Sequence, residues 1–171
     1  MEKFQIPFVA CATSAIVAGL LAVAPTAAHA ATATDTMAVS ATVQSACIVS
    51  ANALAFGSYN PTSGTNLDAT TTLSVTCTSG TSYTVGLSTG NGSGATVANR
   101  KLTNGANSLS YALYQDASRT TNWGNTAGTD TPASAVAGSS ATSLTVYGRV
   151  ASGQNVPAGT YTDSVTITVN Y

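Results

Sequence analysis

Apolar and polar residues alternate at the C-terminal end of the chain, from Gly159 to Tyr171. One face of this stretch carries Val165, Ile167, Val169 and Tyr171, and the other carries Thr166, Thr168 and Asn170. Alternation with a period of two is typical of a strand that is buried on one face only. The end of the chain is therefore predicted to be a strand whose apolar face needs a partner.

The same alternation recurs along the chain and is interrupted by turn-forming residues, such as "NPTSG" from Asn60 to Gly64. It predicts strands at Met37–Val49, Leu54–Gly57, Thr71–Thr78, Ser82–Ser88, Leu109–Tyr114, Ser143–Val150 and Tyr161–Tyr171. The stretch from Asn122 to Ser140 is rich in Gly, Ala, Ser and Thr and predicts a loop. No stretch of helical length shows a period of 3.6 residues. Short strands with frequent turns predict an all-β sandwich.

The stretch from Ala31 to Val43 also alternates. Its apolar face holds Ala33, Met37, Val39, Ala41 and Val43, and Asp35 interrupts that face near its start. The predicted sandwich thus has an apolar-faced strand near each end. Two arrangements satisfy this pattern. The two strands pair within one molecule, or the first strand pairs with another copy and builds a head-to-tail polymer.

Residues 1–30 have the pattern of a secretory signal peptide that is removed after Ala30. Lys3 supplies the positive start, Phe8–Val23 supplies the apolar run, and "AHA" at residues 28–30 supplies the small-residue cleavage site. A retained membrane anchor is the alternative, which the short apolar run disfavours because a span needs about 20 residues. We therefore expect an exported protein.

The amino-acid composition argues against most kinds of catalytic site and against binding of nucleic acid or anionic lipid. Charged residues make up 6% of the chain and the formal net charge is −1, which predicts no binding of nucleic acid or anionic lipid. The single histidine, His29, and the single glutamate, Glu2, both fall in the predicted signal peptide. The remaining aspartates are scattered, and no base is available to activate a Ser or Thr nucleophile. We predict no enzyme activity, no cofactor or metal site and no small-molecule substrate.

Two cysteines, Cys47 and Cys77, remain after removal of the signal peptide. An even number of cysteines in an oxidising compartment predicts a disulfide between them. Such a bridge contributes roughly 3 to 4 kcal/mol in the chain-entropy model. A metal site is the alternative, but no histidine or further cysteine is near enough to complete it.

The region Ser108–Asn125, "SLSYALYQDASRTTNWGN", concentrates aromatic and charged residues. We interpret its tyrosines and Trp123 as core residues, with an Asp116–Arg119 pair that organises a turn. A sugar-binding platform is the alternative interpretation. Arg149, on the polar face of "LTVYGRV", is interpreted as a solvated side chain or as the partner of a nearby carboxylate.

Several of these stretches together resemble the spore coat protein U domain family, which includes subunits of archaic chaperone–usher pili. The most specific stretches are "LYQDASRTTNWG" (Leu113–Gly124), which has the pattern LYxDxxRTxxWG, and "GTYTDSVTITVNY" (Gly159–Tyr171), which has the pattern GxYxDxVxIxVxY. "FGSYNP" (Phe56–Pro61) and "LSVTCTSGTSYTVGLSTG" (Leu73–Gly90) add to the resemblance, which runs from about Met37 to the end of the chain.

The resemblance implies an incomplete immunoglobulin-like β-sandwich over residues 42–171 that is completed by a donor strand from a neighbouring subunit. It implies that residues 31–41 are the donor strand, with Ala33, Met37, Val39 and Ala41 as its buried residues. The acceptor edge, occupied first by a periplasmic chaperone and then by the next subunit through strand addition, would consist of Val165, Ile167, Val169 and Tyr171.

The function implied by the resemblance is that of a structural subunit of an extracellular pilus, or fimbria, that serves surface attachment and biofilm formation. Its partners would be identical or related pilins, the periplasmic chaperone and an outer-membrane usher, and its route would run through the periplasm to the cell surface. Single-domain length disfavours a two-domain tip adhesin. The alternative is a secreted spore or cell-surface coat protein that uses the same domain outside a pilus.

Overall fold

The computed structural model describes residues 30–171, so the predicted signal peptide lies outside the described residues apart from Ala30. The chain divides after Ser40 into two units, and each is described by itself. Residues 30–40, the described part of the first unit, have no regular secondary structure. No helix within residues 30–171 is long and apolar enough to cross a membrane.

The second unit, Ala41–Tyr171, contains all strands of the described residues. They are β1 (Cys47–Ala51), β2 (Leu67–Cys77), β3 (Ser82–Leu87), β4 (Arg100–Asn104), β5 (Asn107–Tyr114), β6 (Ala135–Val136), β7 (Thr142–Val150) and β8 (Ile167–Asn170). One sheet has five strands in the order β1-β2-β7-β5-β4, and the other has three in the order β6-β3-β8. All pairings are antiparallel. The predicted all-β class is confirmed.

A single apolar core forms because alternate side chains of the strands point to one face of each sheet. Its most deeply buried aliphatic and aromatic residues are Leu73, Val75, Tyr83, Val85, Leu87, Leu109, Tyr111, Leu113, Trp123, Val146 and Val150. The side chains of Leu54, Phe56, Val165, Ile167 and Val169 are partly buried and pack against this core. The core is therefore closed on most sides and thinly covered where these last residues lie.

The disulfide between Cys47 and Cys77 is present, and the two residues face each other in the β1–β2 register. It joins the start of β1, which is an edge strand, to the end of β2. The bridge thus fixes one end of the only strand pairing that β1 makes in the described residues.

Several predicted strands differ from the observed ones. The prediction Met37–Val49 is wrong for residues 37–46, which have no strand, and Tyr161–Tyr171 contracts to β8. The segment 54–57 is not a strand, because the chain leaves β2 after the Asn52 N–H bond to the Thr72 carbonyl. Residues 37–46 alternate in sequence but are exposed and pair with no strand of the described residues. Residues 54–57 and 161–166 partly bury alternate side chains without a complete ladder of backbone partners.

Two observed strands were not predicted. β4 opens with Arg100 and Lys101, and consecutive cations are an unusual start for a strand that borders a core. β6 has only two residues and lies inside the predicted loop Asn122–Ser140. Neither strand has the four or more alternating residues on which a sequence prediction depends.

Candidate functional site

β8 is an edge strand with a partner on one side only, where it pairs with β3. Just before β8, the Ser88 N–H donates to the Thr166 carbonyl at 2.9 Å, and the ladder continues from there. Because hydrogen bonding alternates along an antiparallel pair, the backbone groups of Val165, Ile167 and Val169 point away from β3. No strand of residues 30–171 pairs with that side.

β1 is the corresponding edge of the five-stranded sheet. Val49 lies directly opposite Val75 in the β1–β2 register, so both side chains are on the inner face. Val75 is only 2% exposed, whereas Val49 is 37% exposed. An inward-facing valine that remains this exposed shows that the core is uncovered beside β1.

A cleft of about 230 Å³ lies between the β1 side and the β8 side of the sandwich. One wall is formed by Ala51–Leu54 and Phe56, and the other by Val165 and Ile167. The floor consists of buried core residues, namely Leu73, Leu87, Leu113 and Val146. The core itself is therefore accessible between the two sheet edges.

A second cleft of about 590 Å³ continues from the first. The two clefts share Leu54, Phe56 and Leu102 in their linings. The second cleft extends along the segment Val156–Tyr161, which precedes β8 in the chain. We call the two clefts together the open groove. It follows the β8 side of the sandwich from Ile167 back to Val156.

A partly buried polar contact lies in the open groove. The Tyr111 hydroxyl donates to Asp163 Oδ2 at 2.7 Å, and the Asn91 N–H donates to Asp163 Oδ1 at 2.8 Å. Burial, the hydrogen bond to Asp163 and the charge of this carboxylate raise the pKa of Tyr111 well above its usual value. Tyr111 is therefore a neutral donor, and its bond fixes Asp163 on the wall of the groove.

Both predicted sets of interaction residues can be placed. Val165, Ile167 and Val169 lie on the core-facing side at the bare edge, whereas Tyr171 follows β8 and is exposed. In the N-terminal segment Ala33 and Ala41 are exposed, and Met37 and Val39 are 85% and 83% exposed. Val43, which continues the same alternating face, is 81% exposed. An alternating apolar segment is thus exposed as far as Val43, two residues beyond the predicted end of the donor strand.

The aromatic and charged residues of Ser108–Asn125 do not form a binding platform around Trp123. Its ring is 1% exposed and Nε1 donates to the Val85 carbonyl at 2.8 Å, which confirms its interpretation as a core residue. Asp116 and Arg119 do close a turn, in which the Arg119 N–H donates to the Asp116 carbonyl at 3.0 Å, but their side chains do not pair. The carboxylate of Asp116 accepts the backbone N–H groups of the two residues after Arg119. These bonds hold the pKa of Asp116 below its usual value.

Arg119 and Arg149 instead share one carboxylate on the outer face of the five-stranded sheet. Arg149 binds Asp68 through two hydrogen bonds of 2.7 and 2.8 Å, and Arg119 lies 3.3 Å from the same carboxylate. The bond from Arg149 is the main cause that holds the pKa of Asp68 below its usual value. The interpretation of Arg149 as the partner of a nearby carboxylate is confirmed.

A family model gives the identity of the domain. The model of the spore coat protein U domain matches residues 33–168, which include both sides of the open groove. The chain belongs to this family. Protein U of Myxococcus xanthus is 38% identical over 175 residues, which cover 94% of this chain and 97% of that protein.

The spore coat protein U domain described here also has a structural neighbour. The neighbour is the crystal structure of the CsuC–CsuE chaperone–tip adhesion subunit pre-assembly complex from the archaic chaperone–usher Csu pili of Acinetobacter baumannii. The TM-score is 0.57 with 23% sequence identity, over 76% of this chain. The match spans about two fifths of the neighbour's chain, 41%. This likeness shows the shared all-β, immunoglobulin-like fold.

Several groove residues of this spore coat protein U domain were missed by the sequence reasoning. Leu54, Phe56 and Leu102 line both clefts, and Tyr111 and Asp163 line the first. A signal for Asp163 was available, because it continues the alternation of Val165 and Ile167 towards the N-terminus of that stretch. No signal in the sequence brings Phe56 or Leu102 to the groove, because their positions depend on contacts distant in the chain.

Proposed function

We propose that this spore coat protein U domain is a structural subunit of an extracellular pilus that the chaperone–usher pathway assembles by donor-strand exchange. The observation that carries the proposal is the bare edge of β8 beside the open groove. An apolar core between two unpaired sheet edges is a large liability for an exported domain, because such edges template aggregation. A strand supplied by another molecule removes this liability.

The chemistry of the open groove selects an extended, alternating peptide. The outward backbone groups near Ile167 provide hydrogen bonds, and the apolar floor accepts every second side chain of the incoming strand. A periplasmic chaperone would supply such a strand during export, and an outer-membrane usher would exchange it for the next subunit. The structural neighbour is itself a complex of a chaperone with a pilus subunit, which supports a partner of this kind.

The donor is the N-terminal segment of another copy. Met37 and Val39 carry its largest exposed apolar side chains, and full burial of each contributes about 1.5 to 3 kcal/mol. Strand-pairing hydrogen bonds add roughly 0.5 to 1.5 kcal/mol each. Ordering the free segment opposes binding by roughly 1 to 2 kcal/mol per residue. The balance is sensitive to single anchors, and the head-to-tail contact grows a filament. Such fibres would serve surface attachment and biofilm formation.

A secreted spore or cell-surface coat protein is the second candidate. It is favoured by the family description, spore coat protein U domain, whose model matches residues 33–168. In that role the N-terminal segment would complete its own sandwich or a neighbouring coat molecule outside any pilus. Genes for a chaperone and an usher next to this gene would favour the pilus.

The test removes the donor and leaves the groove intact. Val39→Asp should leave periplasmic yield normal and abolish surface fibres, because the next groove would have to accept an unpaired buried charge. Ser40→Asp is the matched control, since it adds the same charge on the polar face of the segment. The measurement is gel analysis of unheated surface fibres, in which donor-strand polymers run as ladders that heating dissociates.

Two outcomes would contradict the proposal. Ladders of normal yield from Val39→Asp, or from deletion of Ala31–Ala38, would show that this segment is not the donor. Loss of the folded monomer on the same deletion would show that the segment belongs to its own sandwich, which favours the coat-protein role.

A further inference from the structure

A row of three contacting side chains crosses the floor of the open groove. The ring of Phe56, on the β1 side, packs edge-on against the ring of Tyr111 with 5.8 Å between centroids. The Tyr111 hydroxyl in turn donates to Asp163, on the β8 side, at 2.7 Å. We call this row the waist. It joins the two walls of the groove without a gap between its members.

The waist lies where the two clefts meet. Phe56 lines both clefts, whereas Tyr111 and Asp163 line only the first. Phe56 can lie this deep because Gly148 of β7 has no side chain, and a Cβ there would be 2.8 Å from the Phe56 ring. A strand added to β8 would therefore meet open space on both sides of the waist and a filled site at the level of Asp163.

The alternating side chains of the donor segment match this arrangement of two open clefts separated by the waist. Its consecutive inward positions are Met37, Val39, Ala41 and Val43, so a small residue lies between larger ones. With Ala41 at the level of Asp163, an antiparallel strand places Val39 and Met37 at the levels of Val165 and Ile167 in the first cleft. Val43 then enters the second cleft.

Other alignments of the donor strand on β8 fit the two clefts and the waist less well. A parallel strand with Ala41 at the waist would place Ser45 at the level of Ile167, a polar residue over an apolar floor. Alignment of Ala33 with the waist in an antiparallel strand would leave the first cleft without Met37 or Val39. The antiparallel alignment with Ala41 at the waist also carries Asp35 to the level of Val169, beyond the lining of the first cleft.

We propose that the waist formed by Phe56, Tyr111 and Asp163 is a size filter that sets the register of the donor strand by accepting only a small side chain, that of Ala41 from the next subunit. The inference rests on the proposed donor-strand exchange and adds its register. It assigns a specificity role to Phe56, a residue that no strand of the sandwich contains.

The test enlarges the two alanines of the donor face in turn. Ala41→Leu should lower the yield of heat-dissociable ladders about tenfold or more, because overpacking a filled site is destabilising. Ala33→Leu makes the same change on the same face and should stay within about twofold of wild type, since its level is that of the exposed Tyr171. Adding Phe56→Leu to Ala41→Leu should restore most of the ladders by widening the waist.

Folding is monitored separately, by periplasmic yield and by the intact Cys47–Cys77 disulfide. With these normal, ladders from Ala41→Leu at the wild-type level would overturn the size filter and leave donor-strand exchange standing. Loss of ladders from Ala33→Leu but not from Ala41→Leu would place Ala33 at the waist and overturn the register. Absence of ladders from the wild-type chain would reject the proposed function and this inference with it.

Discussion

The three-stranded sheet ends differently on the two sides of β3. On the side away from β8, β6 covers only Ser82 and Tyr83. Beyond it, individual groups replace a strand. The Trp123 indole donates to the Val85 carbonyl at 2.8 Å, the Leu87 N–H donates to the Gly124 carbonyl at 2.7 Å, and Arg100 donates to the Leu87 carbonyl at 3.1 Å.

On the other side β3 pairs with β8, and β8 then ends the sheet with no such substitutes among the described residues. Side chains and loop backbone groups thus pair the free backbone groups of β3, whereas nothing comparable pairs those of β8 among the described residues. Buried backbone groups in folded proteins are nearly always paired. This difference supports the proposal that the bare β8 edge receives a strand from another molecule.

Removal of Arg100 should have the largest effect on stability. Arg100 donates hydrogen bonds at the edge of β3 that lies away from β8, which we call the covered edge. Its guanidinium is fully buried and donates to the carbonyls of Leu87, Ser88, Val97 and Trp123. Burial lowers the pKa of Arg100, but an arginine remains charged at any ordinary pH. Arg100→Met should destabilise the fold by about 4 kcal/mol or more, since each buried group left unpaired costs about 1 to 3 kcal/mol.

The measurement for Arg100→Met is denaturant unfolding of the purified monomer. Lys101→Met is the control, because Lys101 carries the same charge in the same strand but makes one exposed hydrogen bond, to the Ser93 carbonyl. It should cost less than about 1 kcal/mol. Equal effects of the two substitutions would show that the four carbonyls do not depend on Arg100.

Loss of the disulfide should have the next largest effect, and it acts on the other wall of the open groove. Cys47→Ser frees β1, an edge strand whose single partner in the described residues is β2. It should cost about 2 to 5 kcal/mol and lower the periplasmic yield. The double variant Cys47→Ser with Cys77→Ser should behave like the single one. Free thiols on both cysteines of the unreduced wild-type protein would contradict the bridge.

Trp123→Phe is a smaller change at the covered edge than Arg100→Met, because it removes a single hydrogen bond. The substitution keeps a buried aromatic ring and removes the donor to the Val85 carbonyl. We expect a loss of about 1 to 3 kcal/mol from this unpaired acceptor, with no change in fibre ladders once the protein is folded. Reduced fibre formation from a stably folded Trp123→Phe monomer would show that the covered edge also takes part in assembly.

The sequence predicts the bare edge better than the covered one. The β8 edge follows from a simple alternation, in which Val165, Ile167 and Val169 share a face, and the structure places all three against the core. The covered edge depends on Arg100 and Trp123, which lie far from β3 in the chain and act through hydrogen bonds rather than a repeated pattern. A charged residue gives no sequence signal for full burial, because arginines are mostly exposed.

The open groove can be predicted from the sequence only in part, because some of its contacts join residues that are distant in the chain. Alternation identifies the inward face of the segment that contains Leu54 and Phe56, although the segment is not a strand. It does not show that Phe56 contacts Tyr111 or that Gly148 makes room for it. These contacts join residues from distant parts of the chain, so they arise from the fold and not from local preference.

Substitutions at Ile167 should have the smallest effect on monomer stability and the sharpest effect on function. Ile167 is only partly buried in the isolated domain, so Ile167→Val should cost no more than about 0.5 to 1.5 kcal/mol. Ile167→Asp should abolish capture by the chaperone, since the added strand would bury an unpaired carboxylate against an apolar floor. Thr166→Asp is the control, because its side chain is exposed and lies on the opposite face. Co-purification with the chaperone gives the measurement, and recovery of the Ile167→Asp complex at normal yield would show that β8 is not the docking edge.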